Sequence, residues 1–258
     1  MGKKNTDENI KKKKRKKRTS VKLYQFFSTL LGIVIIVLGA YVLFNIQSVK
    51  VEGNSYTDET VIKETVQEGT FSDNALYLWA KYKIGKGKKI KSCSDIKVTM
   101  TKPWILKIKV KEKEIVGYYE DEQGVVCFDK EGMVVYTGSK VPENAPKIEG
   151  LHLENLSLYD TLDAEDKDIF KEILKTTKII KKYDIDTEKV VYLDSSIYLI
   201  KGEVHISLGK NVSNEQIAQI PPILEKLGTE ETGTLYLNNY SENRKTITFK
   251  KGEFPPEE

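Results

Sequence analysis

The chain has 258 residues, 39% of them hydrophobic, with 42 Lys and Arg against 38 Asp and Glu for a formal net charge of +4. Two cysteines exclude a dense disulfide framework, so whatever folds here must hold together by its core. The charge is unevenly spread: residues 1–22 hold eleven Lys and Arg against Asp7 and Glu8, a net +9, which leaves 4 − 9 = −5 for the other 236 residues.

That basic segment is too charged and too poor in apolar groups to build a core, and disorder is expected over 1–22. The cluster from Lys11 to Arg18 contains no aromatic residue on which a base could stack, so nucleic-acid binding is not favoured. Next come 24 residues, 23–46, without a charged side chain. As a helix rising about 1.5 Å per residue, the run would be roughly 36 Å long, enough to cross a hydrocarbon core of about 30 Å. A cleaved signal peptide would have a shorter apolar segment and a small-residue cleavage pattern; here Val42, Leu43 and Phe44 continue the run past Gly39-Ala40. The run reads as one transmembrane helix. Because Lys and Arg stay on the cytoplasmic side, the amino end is expected in the cytoplasm and residues 47–258 outside.

Beyond the helix, Val49 and Val51 alternate with polar residues as in a short strand ended by Gly53-Asn54. Thr57 is a good helix N-cap, with Asp58 and Glu59 behind it and Val61, Ile62 and Val66 as the apolar stripe. A second helix is expected over 74–83. The loop from Gly85 to Lys89 lacks the spacing of a phosphate-binding loop and reads as a solvated turn. Ile96, Val98 and Met100, then Leu106, Ile108 and Val110 after the break at Pro103, alternate with polar residues as two half-buried strands. The order strand, helix, helix, strand, strand makes an α+β unit over 47–115.

Residues 116–250 read as mainly β. Short strands are expected over 116–119, 125–128, 133–136, 190–193, 197–200 and 204–208, with a helix over 163–183 and another over 217–227 that Pro221-Pro222 opens or kinks. Thr234 to Leu237 and Thr246 to Lys250 form an expected terminal hairpin, and the end of the chain, 251–258, reads as a frayed tail.

Catalytic chemistry finds little support. His152 and His205 lie in no metal-binding pattern, His205 reads as an exposed strand residue, and no Gly-x-Ser-x-Gly or Ser-x-x-Lys motif occurs. The acidic group Asp160, Asp163, Glu165, Asp166 and Asp168 fits caps and dipole partners at a helix start better than paired catalytic carboxylates. No catalytic, cofactor or metal residues are assigned. Cys93 and Cys127 fall in different expected domains and read as two free thiols.

Several of these segments carry a family resemblance. Val51-Glu52-Gly53-Asn54 after a single membrane helix, Lys102-Pro103, and the strand ending Ile108-Lys109-Val110-Lys111-Glu112-Lys113 resemble the POTRA domain of the FtsQ/DivIB bacterial cell-division proteins. Val125-Val126-Cys127-Phe128-Asp129-Lys130-Glu131-Gly132 is similar to the family's apolar–Asp–x–x–Gly hairpin, and Val204 to Lys210 to its strand ending in Leu-Gly. The resemblance, carried in its POTRA part by Val51, Gly53, Asn54 and Pro103, runs to about residue 250. It implies a non-enzymatic scaffold at the division septum, without cofactors, that stabilises or regulates septal peptidoglycan synthesis. The implied partners are FtsL-like and FtsB/DivIC-like coiled-coil membrane proteins and, through them, the septal synthase. Where many members have an Asp-Leu-Arg-Tyr-like strand, this chain has Leu235-Tyr236-Leu237-Asn238, without the Asp and Arg. A membrane-anchored wall enzyme or sensor is the alternative of the same topology. A POTRA-bearing secretion component would need a following membrane barrel, for which the chain lacks repeated alternation.

A sheet edge near the carboxyl end is the expected partner-binding element, since an open strand offers main-chain hydrogen bonds to an incoming strand. The residues concerned are Thr234, Leu235, Tyr236, Leu237, Asn238, Asn239 and Tyr240, with Thr246, Ile247, Thr248 and Phe249 on the paired strand. Proline at Leu237 is the substitution expected to block it.

Overall fold

The computed structural model describes residues 3–228, 231–241 and 243–254, with side chains from residue 21 onward. The first element is one continuous helix, α1 (Lys3–Leu43). Its segment Val21–Leu43 is long and apolar enough to cross a membrane and is buried by nothing in the protein. The basic tail is thus helical rather than disordered. Lys and Arg are good helix formers, and a segment that extends an existing helix avoids the cost of nucleation. Helical geometry ends at Leu43, three residues before the apolar run does.

The rest is an α+β body with a POTRA-like beginning: β1 (Ser48–Glu52), α2 (Glu59–Val66), α3 (Ala75–Lys83), β2 (Cys93–Lys102) and β3 (Ile105–Glu112), in the expected order. Contacts divide the chain into two compact units. The first comprises residues 1–53, 59–89 and 96–110, the second 54–58, 90–95 and 111–258.

In the first unit the strand order is β1-β3-β2, with β1 parallel to β3 and Val51 opposite Ile108. Ile62 and Val66 of α2, Ala75 and Leu78 of α3, and Val98, Leu106, Ile108 and Val110 of the strands are buried together as its apolar residues. Asn74 caps α3 by accepting the Tyr77 N–H at 3.0 Å. The turn after α3 is solvated, with Lys88 paired to Glu68 and its carbonyl accepting the Tyr82 hydroxyl at 3.0 Å.

The second unit contains β4 (Ile115–Asp121), β5 (Gly124–Asp129), β6 (Val134–Gly138), β7 (Lys147–Glu149), β8 (Leu153–Glu154), β9 (Asp163–Ala164) and α4 (Lys167–Lys182). There follow β10 (Lys189–Leu193), β11 (Ser196–Lys201), β12 (Val204–Gly209), α5 (Asn214–Ala218), α6 (Ile220–Leu227), β13 (Gly233–Tyr236) and β14 (Thr248–Lys251). Nine strands form one sheet in the order β14-β13-β12-β11-β10-β7-β4-β5-β6, while β8 and β9 pair separately. Two antiparallel groups, β4-β5-β6 and β10-β11-β12, are joined through β7, which runs parallel to both β4 and β10. A parallel step from β12 to β13 needs a crossover, and α5 and α6 supply it.

Helix α4 lies on one face of the sheet because Phe170, Ile173, Leu174, Thr177 and Ile180 recur at helical spacing and are all buried. Phe170, Ile173, Leu174 and Ile180 meet Phe128, Ile148, Val190, Leu199, Ile206 and Leu235 in the main core. A smaller cluster of Ile115, Val125, Cys127 and Val135 covers the other face of β5, which is why Val125 to Asp129 are buried without alternation. Pro221 and Pro222 sit in the first turn of α6 and open a new helix after the break at Gln219.

Three local expectations change. Thr57 does not cap a helix: α2 starts at Glu59, and the buried Thr57 hydroxyl shares a 2.9 Å hydrogen bond with Ser92. The Glu112 carboxylate takes the Thr57 N–H at 2.7 Å, the Ser55 N–H at 2.9 Å and the Tyr56 N–H at 3.1 Å, a long-range pairing no local pattern announces. Helix α4 begins four residues later than expected, with Asp166 as its N-cap accepting from Asp168 and Ile169. Cys93 and Cys127 both fall in the second unit, and both are free. Burial pushes the Cys127 thiol up to about 12. In the native protein a disulfide reagent at pH 8 is therefore expected to leave Cys127 unmodified and to titrate it only after denaturation; full modification under native conditions would contradict its burial.

Candidate partner-binding edge

The terminal hairpin exists, and its two strands have different surroundings. β13 pairs in parallel with β12 on one side and antiparallel with β14 on the other, so it is an interior strand. β14 is the last strand of the nine. Thr234, Leu235 and Leu237 are fully buried. The Thr234 hydroxyl donates to the Glu253 carbonyl at 2.6 Å; the Leu237 N–H donates to the Ser207 carbonyl at 2.9 Å, and the Leu237 carbonyl accepts from Gln216 at 3.0 Å. Those three residues are core. Proline at Leu237 would remove a native hydrogen bond beneath α5, so it cannot serve as a selective probe of binding.

The other expected residues are exposed or half-buried, and Phe249 packs against the edge of the main core. Asn238, Asn239, Thr246, Ile247 and Thr248 are exposed, and Tyr236, Tyr240 and Phe249 are half-buried. Thr246 and Ile247 precede the strand, which runs Thr248–Lys251. Lys251 is thus an edge residue one position beyond the expected strand. A shift of two residues in a four-residue strand is within the ordinary fraying of strand ends, and nothing in the local sequence marks it.

The ladder fixes which backbone groups of β14 are open. Thr234 stands opposite Lys250 and Leu235 opposite Phe249. The Gly252 N–H donates to the Thr232 carbonyl at 2.9 Å, which makes that pair a hydrogen-bonded one. Antiparallel pairs alternate, so Lys250 and Thr248 also bond inward while the N–H and C=O of Lys251 and Phe249 turn away from β13. Two residues, i and i+2, therefore offer main-chain groups on the open side.

Side chains brace this edge. Lys250 and the Tyr236 hydroxyl converge on the Glu253 carboxylate at 2.8 and 3.0 Å, and the Lys250 ammonium sits 5.2 Å from the Tyr236 ring centre. The Lys250 bond, with that of Tyr236, holds the Glu253 carboxyl below its usual range, and the Glu253 bond raises Lys250. Lys251 pairs with Glu231 at 2.8 Å. His205 on β12 is half-buried rather than exposed, its ring 4.9 Å from that of Phe254. Among the described residues no group of three or more His, Cys, Asp or Glu is placed to hold a metal ion.

The residues that carried the POTRA resemblance have local structural duties. Gly53 has φ +87°, and a Cβ there would run into the Val110 carbonyl, so only glycine fits. The Asn54 amide donates to the Thr57 carbonyl at 3.1 Å. Val51 is a half-buried residue of β1, and Pro103 is half-buried in the turn between β2 and β3.

No family model matches the chain. The cell division protein DivIB of Clostridium botulinum strain Hall is 29% identical over 157 residues, covering 60% of this chain and 57% of its own length. The cell division protein DivIB of the Loch Maree strain of the same species is 28% identical over 157 residues with the same coverage. The chain thus matches a little over half the length of these curated relatives. They support the resemblance to the FtsQ/DivIB family that the sequence carries.

Proposed function

We propose that this chain, similar to DivIB cell-division proteins and bearing one helix fit to span a membrane, is a non-enzymatic scaffold of the division septum. Its amino end faces the cytoplasm, as the charge of +9 before the helix favours. Outside, a POTRA-like domain over 47–115 and a β-rich domain over 116–250 hold partners together so that septal peptidoglycan synthesis is stabilised or regulated. The partners are coiled-coil membrane proteins of the FtsL and FtsB/DivIC kinds and, through them, the septal synthase.

One observation carries the reading most directly: β14 is an open, four-residue edge on a nine-stranded sheet, with Phe249 and Lys251 turning backbone groups outward. A strand from an FtsB/DivIC-like partner would extend the sheet there, with main-chain bonds supplying affinity and alternate side chains supplying choice. Asn238, Asn239, Thr246 and Ile247 border the same end of the hairpin.

The test is Lys251→Pro. Proline is tolerated on an edge strand when the lost N–H faces outward, and Lys251 contributes no core packing. Capture of the FtsB/DivIC-like partner on immobilised protein is expected to fall at least tenfold for Lys251→Pro, about 1.4 kcal/mol. Lys251→Ala, which removes the ammonium and keeps the N–H, should bind nearly as the parent does. Equal capture by Lys251→Pro and the parent, with circular dichroism unchanged, would place the contact elsewhere.

A further inference from the structure

Where α1 ends, the chain is fastened to two loops of the first unit. The Ile46 N–H donates to the Asp73 carbonyl at 2.8 Å and the Ala75 N–H to the Phe44 carbonyl at 2.8 Å, with Asn45 and Asn74 bridged between them. The Gln47 N–H donates to the Trp104 carbonyl at 2.9 Å. These bonds hold the loop before α3 and the turn between β2 and β3 at the point where the apolar helix stops.

Phe71 lies two residues before Asp73, while Leu76 and Tyr77 lie one and two residues after Ala75. At no more than about 3.6 Å per residue, their Cα atoms stay within roughly 7 Å of residues bonded directly to the helix exit. The polar layer of a leaflet is about 5–8 Å deep, half the difference between the full bilayer and its hydrocarbon core. These side chains therefore belong to the depth of lipid headgroups if α1 spans the membrane.

Their exposure is unusual for apolar groups: Phe71 is 62% exposed, Tyr77 41% and Leu76 40%. Phe71 also sits at φ +64°, a left-handed conformation that strains a bulky residue. Its ring meets that of Tyr77 edge-on at 6.0 Å. Trp104 is half-buried, and Lys102 is exposed two residues before it. Aromatic rings beside lysine at a helix exit match the composition of a membrane–water interface, where amphipathic rings rest among headgroups and an ammonium reaches phosphate.

We propose that Phe71, Leu76, Tyr77 and Trp104 form a collar that enters the headgroup layer of the leaflet from which α1 emerges, with Lys102 directed to lipid phosphate. The occupant is lipid because the surface is continuous with the apolar span and fixed to it by backbone hydrogen bonds. The collar holds the first unit against the bilayer instead of letting it swing on the end of the helix. It rests on the reading of α1 as a membrane span.

The test uses the full chain in phosphatidylcholine–phosphatidylglycerol vesicles whose lipids carry bromine on the upper acyl chain. Trp79→Phe with Trp104→Phe removes both native indoles; Phe71→Trp then places one in the collar, and Leu31→Trp places one within the span instead. Emission at position 71 is expected to shift to the blue and to lose intensity in the brominated vesicles. Trp104 alone, left by Trp79→Phe, should be quenched as well, giving a reading that does not depend on any substitution in the loop. Unquenched, water-like emission at positions 71 and 104 beside a quenched Leu31→Trp would overturn the collar and leave the span standing. If Leu31→Trp also escapes quenching, the span reading fails and the collar falls with it.

Discussion

Replacing Asp129 by alanine is expected to destabilise the second unit by about 3–5 kcal/mol, the usual cost of removing one partner from a buried ion pair. Asp129 is 1% exposed and ends β5. One carboxylate oxygen lies 2.7 Å from the Lys113 ammonium, and the other accepts the N–H of Glu131 at 2.9 Å and of Met133 at 3.0 Å. Alanine leaves a largely covered ammonium without its counter-charge and two amides without their acceptor, each such bond to a charged group being worth about 1.5–3 kcal/mol. Asp129→Asn keeps an acceptor for the turn but loses the charge, so its loss should fall between those of alanine and the parent. Urea unfolding followed by near-ultraviolet circular dichroism gives the midpoints. Adding Lys113→Ala to Asp129→Ala should recover part of the loss, since the stranded cation is then gone. Full additivity of the two substitutions would mean that the pair is not coupled.

Asp129 also shows which features were legible in the sequence. An Asp followed three residues later by Gly is turn chemistry: the carboxylate bonds forward to Glu131 and Met133, and Gly132 takes φ +79°. Such rules act over a few residues and can be read there. The half-buried strands β2 and β3 and the stripe of α4 were legible for the same reason. β7 was not. It has three residues, is flanked on both sides, and lies in the middle of the sheet, so neither length nor alternation marks it. Thr57 failed for the opposite reason: a good local cap was overridden by Ser92 and Glu112, 35 and 55 residues away. The candidate edge combined both cases. Its hairpin is a local fact, but which strand lies outermost depends on β12 pairing with β13 across a crossover, and that pairing made Thr234 and Leu235 core while leaving β14 open. Leu237 is buried beneath the crossover helix α5, where Gln216 reaches its carbonyl.

Gly150→Ala is expected to cost about 3 kcal/mol or more, and Gly202→Ala about 1 kcal/mol, although both glycines adopt left-handed backbone angles. At Gly150 φ is +79°, and an added Cβ would run into the Tyr192 carbonyl of β10. That strand cannot step aside, because β7 holds it on one flank and β11 on the other, with Val191 opposite Glu149 and Tyr192 opposite Ile197. The clash must be relieved by breaking the ladder or moving Gly150 out of its turn, and either disturbs the join between the two antiparallel groups. At Gly202 φ is +54° and nothing lies within 4 Å of the added methyl. There alanine meets only the left-handed penalty of about 1–2 kcal/mol per residue, partly offset by the smaller freedom of its unfolded chain. Unfolding free energies of the two variants, taken from urea midpoints at a common slope, should therefore differ by about 2 kcal/mol. Faster exchange of the Tyr192 amide in Gly150→Ala, and not in Gly202→Ala, would assign the difference to the β7–β10 join. Equal losses at the two positions would show that backbone angle alone governs both, and that β10 yields to the extra methyl after all.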